Sequence, residues 1–140
     1  MVKISSTPGG IVRENGDPVL IGSEIYRHST YGRIHPLRVP RVSTVMDLSR
    51  AMGWLPADRY RTSPRGRIEA LSAWHDPAYL AALQVGEGME EPTPEMLHRF
   101  HLGTLSNPLF PEMFRRPATG AGGMRLAAEL VAATAVDLRR

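Results

Sequence analysis

The sequence predicts one domain, residues 1–140, that is mostly α-helical with a single strand or hairpin at its N-terminus. Two helix starts are marked by a capping residue followed by proline, at Asp76-Pro77 and at Thr93-Pro94. The last third of the chain contains a long, alanine-rich and leucine-rich run with few charges. No internal repeat or low-complexity tract divides the chain, so a single domain is the simplest organisation.

The N-terminal part contains the only β-type pattern. Asn15-Gly16 lies between two short apolar runs, which is typical of a hairpin turn. The next run, from Val19 to Ile21, is predicted to be a strand that could extend to Tyr26. The segment 31–40 is predicted to be a loop, because Pro36 and Pro40 each fix φ and remove a backbone donor.

Helices are expected over most of the remaining chain. Apolar periodicity and the stop and start signals predict them at Arg41–Met52 (ended by Gly53), Gly66–Trp74, Pro77–Val85, Thr93 to about His101, and Thr119–Leu138, with a further helical turn at Pro111-Glu112. In the last helix Gly120, Gly122 and Gly123 occupy the first turns. Each glycine costs up to about 1 kcal/mol there relative to alanine, so we expect another part of the chain to pack closely against this backbone.

Composition excludes several functional classes. The chain has no cysteine, so disulfides and thiolate metal sites are absent. No run approaches the roughly 20 apolar residues of a membrane span, and the first ten residues do not resemble a secretory signal, so a cytoplasmic location is expected. The net charge is +3, but Lys3 is the only lysine and the arginines are interleaved with acids, which does not favour nucleic-acid binding.

Residue patterns alone reveal no complete catalytic set. Glu95-x-x-His98 matches half of a carboxylate di-metal motif, whose second half is missing. His98 and His101 are spaced to share a metal on a helix, but Arg99 lies between them and a third ligand is not evident, so a solvated polar face is the favoured interpretation. A metal site at these two histidines remains the less favoured alternative. We therefore expect no catalytic residue, no metal ligand and no cofactor within this chain.

Four segments in order resemble the histone deacetylase and acetoin-utilisation deacetylase family. These are "EIYRHSTYGRIHPLRVPRVSTVMDL" with the His35-Pro36 pair and Arg41, "AWHDPAYLAAL" with His75 and Tyr79, "HLGTLSNPLF", and "RRPATGAGGMRLAAELV". The resemblance implies the α/β arginase-deacetylase fold, a parallel sheet flanked by helices. It also implies zinc-dependent hydrolysis of acetylated amines by the complete domain, in which a metal-bound water attacks the amide carbonyl.

The resemblance also suggests substrate-binding roles for three residues. Arg41 matches an arginine near the inner channel by which acetate leaves, and Thr104 and Asn107 bound the loop at the pocket rim. We expect Arg41 to be at least partly buried. The rim loop of many relatives carries an acid that holds the substrate backbone, whereas this chain has Thr104-Leu105-Ser106-Asn107 and no carboxylate.

The zinc ligands and catalytic histidines of the family follow the last helix, and this chain contains no matching segment. The sequence therefore predicts an N-terminal segment of a deacetylase-like hydrolase that is inactive alone. The alternative is a stand-alone, non-catalytic oligomeric binding or structural protein. The expected partners are correspondingly a second copy of the chain, paired through the apolar last helix, or a completing C-terminal chain.

Overall fold

The computed structural model describes residues 18–27 and 39–137, with side chains through residue 134. The predicted hairpin turn at Asn15-Gly16 and the His35-Pro36 pair lie outside the described residues. The elements in chain order are β1 (Leu20–Gly22), a 3₁₀ turn (Glu24–Tyr26), α1 (Arg41–Ala51), a second 3₁₀ turn (Ala57–Arg59), β2 (Tyr60–Thr62), α2 (Ile68–Leu71), α3 (Pro77–Gly86), α4 (Pro94–Phe100) and α5 (Arg115–Asp137).

The two strands form a parallel pair with α1 between them in sequence. Leu20 pairs with Tyr60, and Gly22 pairs with Thr62. This βαβ arrangement fits the α/β fold that the resemblance implies. β2 was not predicted, and β1 does not extend to Tyr26. Instead the Ser23 hydroxyl accepts a hydrogen bond from the Ile25 N–H and starts the 3₁₀ turn.

Most predicted helices are confirmed, with small changes at their ends. α1, α3 and α4 begin where predicted, and the Asp76 carboxylate caps α3 through the Ala78 N–H at 2.7 Å. α2 is shorter than the predicted 66–74 segment. α5 begins at Arg115, four residues earlier than predicted, and Pro111-Glu112 lies in a turn just before it.

An acidic side chain from a distant element explains the early start of α5. The Glu87 carboxylate accepts hydrogen bonds from the Phe114 N–H at 2.9 Å and from the Arg115 N–H at 2.6 Å. It also pairs with the Arg115 guanidinium at 2.9 Å. Unpaired N–H groups at a helix start need such an acceptor, and negative charge is favoured there. Because Glu87 precedes the helix by 28 residues, no local signal marks this boundary.

Two adjoining apolar clusters form the core. The first contains Leu80, Phe114 and Ala118, and the second contains Met96, Leu102 and Met113. Leu102 is fully buried at 0% exposure. Leu83 packs against both clusters, so α3 joins them. This core therefore holds α3, α4 and the start of α5 together, with the predicted rim segment attached to it through Leu102.

Two of the three glycines in α5, Gly122 and Gly123, are closely covered as the sequence predicts, whereas Gly120 meets only the Tyr26 hydroxyl. A Cβ added to Gly122 would lie 2.0 Å from the Pro64 carbonyl oxygen, and one added to Gly123 would lie 2.6 Å from the Ser63 hydroxyl. The Ser63 hydroxyl donates to the Thr119 carbonyl at 2.6 Å, and the Gly66 N–H donates to the Ala118 carbonyl at 2.7 Å. The segment after β2 therefore lies directly on the helix backbone, which explains the absence of side chains there.

Candidate functional site

The predicted rim loop follows α4 and is a tight, internally bonded turn. His101, with φ 54°, ends α4 in the left-handed region, and Gly103 has φ 84°. The Gly103 N–H donates to the Asn107 carbonyl at 2.8 Å, which closes the turn. A Cβ on Gly103 would lie 2.4 Å from Pro92 Cγ. Glycine is therefore required at this position by both backbone angle and space.

Thr104 and Asn107, the two predicted rim residues, are brought together by this turn. The Thr104 hydroxyl donates to the His101 carbonyl at 3.2 Å, and it accepts a bond from the Asn107 N–H, also at 3.2 Å. Both residues are half-buried. Their hydrogen bonds hold the loop in one shape, and Leu105 at its tip is completely exposed. The turn thus presents an apolar side chain at its tip.

Arg41 lies elsewhere in the fold, at the first residue of α1. It lines a cavity of about 360 Å³ between α1 and β1, whose other walls are Leu20, Ile21, Gly22, Tyr26, Val42, Val45 and Met46. Arg41 is exposed, so the expectation of partial burial is wrong. Arg41 follows Pro40 and lies outside both core clusters, so the core does not bury its side chain. Asn107 lines a different cavity, so the predicted binding residues do not converge on one pocket of the described structure.

A group of charged side chains holds the 3₁₀ turn after β1 against α1, next to the Arg41 cavity. Arg27 donates two hydrogen bonds to the Asp47 carboxylate, at 2.7 and 3.1 Å, and it also pairs with Glu24. The hydrogen bonds from Arg27 lower the pKa of Glu24 and of Asp47 below their ordinary values. These carboxylates, chiefly Asp47, in turn raise the pKa of Arg27. The group therefore links α1 to the 3₁₀ turn, whose Tyr26 lines the cavity.

Arg50 on α1 extends this arrangement to the second strand. Its guanidinium lies 5.1 Å from the centroid of the Tyr60 ring on β2. It also approaches Asp47 at 3.6 Å and Glu24 at 3.8 Å. The two strands and α1 are thus held together around the apolar cavity that Arg41 lines.

The histidines on and after α4 do not form a metal site. His98 and His101 are exposed, and His101 lies beyond the last residue of the helix with a left-handed backbone, so the two do not share a helical face. The Glu95 carboxylate is paired with Arg99 at 3.1 Å. Within residues 18–27 and 39–137, no three His, Asp or Glu side chains are grouped so that they could hold a metal ion. The described residues therefore do not form a ligand set for the zinc that the resemblance implies for the complete domain.

His75 and Tyr79, two further residues that carry the resemblance, lie near the start of α3. His75 precedes α3, and Tyr79 lies in its first turn. Together with Asn107 they line a second cavity, of about 310 Å³, between α3 and α5. The sequence predicted the loop and the helix but gave no sign that they share a cavity.

Comparison with known proteins identifies two solved structures that are similar to this chain. An HDAC homolog complexed with SAHA superposes with a TM-score of 0.74 at 26% identity over 80% of this chain. An HDAC homolog from Aquifex aeolicus superposes with a TM-score of 0.71 at 27% identity over 79% of this chain. In each case the chain spans only 30% of the length of the solved structure. No family model and no curated protein matches the chain.

Proposed function

Because the chain has the fold of an HDAC-like deacetylase segment, we propose that it forms one wall of the substrate pocket of a zinc-dependent deacetylase. The reaction of the complete protein would be hydrolysis of acetylated amines, with acetyl-lysine as the representative substrate. The observation that supports this most directly is the bonded rim loop at Gly103–Asn107, held by α4 and followed by the glycine-packed α5. The order of the four segments that carry the resemblance supports assigning this turn as the rim loop.

The residues of this chain would bind and orient the substrate rather than carry out the chemical step. Zinc would supply the activated water when bound, but the donor set described above does not fit it. In this proposal the metal ligands and catalytic histidines are supplied by sequence beyond these 140 residues. Arg41 would bind the departing acetate by charge, and Thr104 and Asn107 would shape the rim.

Leu105 distinguishes this rim from one that carries an acid. A carboxylate at this position can accept hydrogen bonds from backbone N–H groups of a bound peptide, whereas leucine offers only apolar contact. A hydrogen bond to a charged group contributes about 1.5–3 kcal/mol. We therefore propose that the complete protein binds peptide backbones more weakly than a relative with an acid in its rim loop does. It would then prefer small acetylated amines.

The first test asks whether the 140-residue chain is active by itself. Purified, untagged chain is assayed for zinc by elemental analysis and for release of acetate from an acetyl-lysine peptide. We expect no stoichiometric zinc and no deacetylation. The same chain co-expressed with the remaining segment of a deacetylase domain should acquire both. Stoichiometric zinc in the chain alone, lost together with activity in His98→Ala, would contradict the proposal and support a metal site on α4.

The second candidate function is a non-catalytic, oligomeric binding or structural protein. It is favoured by the exposed apolar side chains on the second half of α5, which include Met124, Leu130 and Val131. If the protein is a non-catalytic oligomer, a second copy of the chain would cover these side chains. If it is a segment of a deacetylase, the completing chain would cover them. The described residues include no helix long and apolar enough to cross a membrane. We propose a cytoplasmic protein that does not bind nucleic acid.

A further inference from the structure

Buried residues of the core form the floor of the cavity between α3 and α5. Three of its lining residues, Leu80, Phe114 and Ala118, are 3–5% exposed and form the first core cluster. Because these side chains belong to the folded core, packed residues bound the cavity on one side. Its volume of about 310 Å³ is at the lower end of the range typical of small-molecule sites.

Aromatic rings line the walls of this cavity. Tyr79 and Phe110 accompany Phe114 among the lining residues. The Tyr79 ring packs against Phe100 with centroids 5.7 Å apart, which holds that wall in place. Aromatic walls favour a flat or branched apolar group, because ring pairs contribute about 0.5–1.5 kcal/mol beyond the area they bury.

Three polar side chains lie among the lining residues of the cavity. They are His75, Tyr79 and Asn107. Within the described part of the chain, none of these side chains makes a hydrogen bond or ion pair. The Asn107 amide and a histidine ring nitrogen are both hydrogen-bond donors, and the Tyr79 hydroxyl can donate or accept. A ligand with an oxygen acceptor would therefore find several donors at the same cavity.

We propose that this cavity binds a small aromatic or branched-aliphatic molecule that carries one carbonyl or carboxylate group. The apolar part lies against Phe110, Phe114 and Leu80, and the oxygen accepts from Asn107 and His75. This site is separate from the Arg41 cavity, and it does not depend on zinc or on the deacetylase proposal. Asn107 joins it to the rim loop, because its backbone closes that turn.

The test is an NMR titration of the ¹⁵N-labelled 140-residue chain with benzoate and, separately, benzamide. We expect saturable shifts of the amide signals of Ala118, Ala121 and Asn107. Ala121 lines the cavity but is exposed, and leucine is a good helix former. Ala121→Leu should therefore fill the cavity without disturbing the fold, and raise the Kd of both probes at least tenfold.

Three further variants make the outcome decisive. Ala128→Leu places the same change at an exposed position on α5 outside the lining residues, and it should leave the Kd unchanged. Asn107→Ala should raise the Kd of both probes several-fold, and His75→Ala, at an exposed position, gives a second measure of the polar contact. The proposal is overturned if neither probe gives saturable shifts, or if Ala121→Leu binds as tightly as the Ala128→Leu control. Neither result bears on the zinc and deacetylation assay.

Discussion

The two halves of α5 differ in composition and have opposite environments. The first half, residues 115–123, is capped by Glu87 and pressed against the segment after β2 through Gly122 and Gly123. In the second half, every residue from Ala128 to Thr134 is exposed, and Val131 is 70% exposed. The first half carries three glycines, whereas the second carries alanine, leucine and valine side chains. The first half therefore allows close contact with its backbone, whereas the second presents apolar side chains that the described residues leave exposed.

This contrast shows that an apolar helix indicates a need for burial but not its partner. The described elements include one two-stranded sheet and four other α-helices, and they cover only the start of α5. This chain spans only 30% of each solved structure of similar fold. The exposed half is the surface expected of a segment whose fold is completed by another chain or by a second copy.

The largest effect should come from Gly122→Ala. The new methyl group would lie 2.0 Å from the Pro64 carbonyl oxygen and 2.8 Å from the Gly66 nitrogen, both in the backbone. Backbone atoms cannot rotate away as a side chain does, so we expect a loss of about 3 kcal/mol in the free energy of unfolding, the upper end of overpacking effects. Urea denaturation monitored by circular dichroism measures it.

Gly120→Ala is the matched control on the same helix. Its added methyl group would meet only the Tyr26 hydroxyl at 3.3 Å, and alanine favours the helix over glycine by up to about 1 kcal/mol. We expect stability to change by no more than that amount. If Gly122→Ala is tolerated as well as Gly120→Ala, the first half of α5 is not held as tightly as the structure indicates.

Glu87→Ala tests the cap at the start of the first half of α5. It leaves the N–H groups of Phe114 and Arg115 without their acceptor, and the Glu87 side chain is only 15% exposed. Loss of a partner for half-buried donors costs about 1–3 kcal/mol. Amide exchange of Phe114 and Arg115 should accelerate in parallel with the drop in stability.

Glu95→Ala is the control for Glu87→Ala. Glu95 makes an exposed ion pair with Arg99, and such pairs contribute about 0–1 kcal/mol. A loss in Glu87→Ala no larger than in Glu95→Ala would show that α5 does not depend on this distant cap.

The sequence predicted local features well and distant ones poorly. The caps Asp76 and Thr93 are adjacent to the helices they start, and the sequence predicted both. The glycines of α5 indicated close packing because several glycines in the first turns of a helix destabilise it unless another segment lies against its backbone. In contrast, the cap from Glu87 and the pairing of β2 with β1 depend on contacts between residues about 28 and 40 positions apart.

In the candidate site, too, local features were predicted and contacts between distant residues were not. Thr104 and Asn107 were predicted to belong to one loop, and the structure joins them by a hydrogen bond. The exposure of Arg41 and the cavity shared by His75 and Asn107 were not predictable, because they depend on how α1, α3 and α5 are placed in space. The resemblance supplied the identity of the segments but not these positions.

The smallest effect on stability, with the clearest effect on association, should come from Val131→Glu in the second half of α5. Surface substitutions at exposed sites usually change stability by less than about 0.5 kcal/mol, so the thermal midpoint should barely move. If a second copy covers this face, each buried valine or leucine contributes about 1.5–3 kcal/mol to the interface, and a buried charge strongly opposes association.

Light scattering at micromolar concentration should then show an oligomer for the natural chain and for Val131→Leu. Val131→Glu and Leu130→Glu should both give monomers of 15.5 kDa. A well-folded monomer of the natural chain would exclude the second copy and leave the completing segment as the partner for this face.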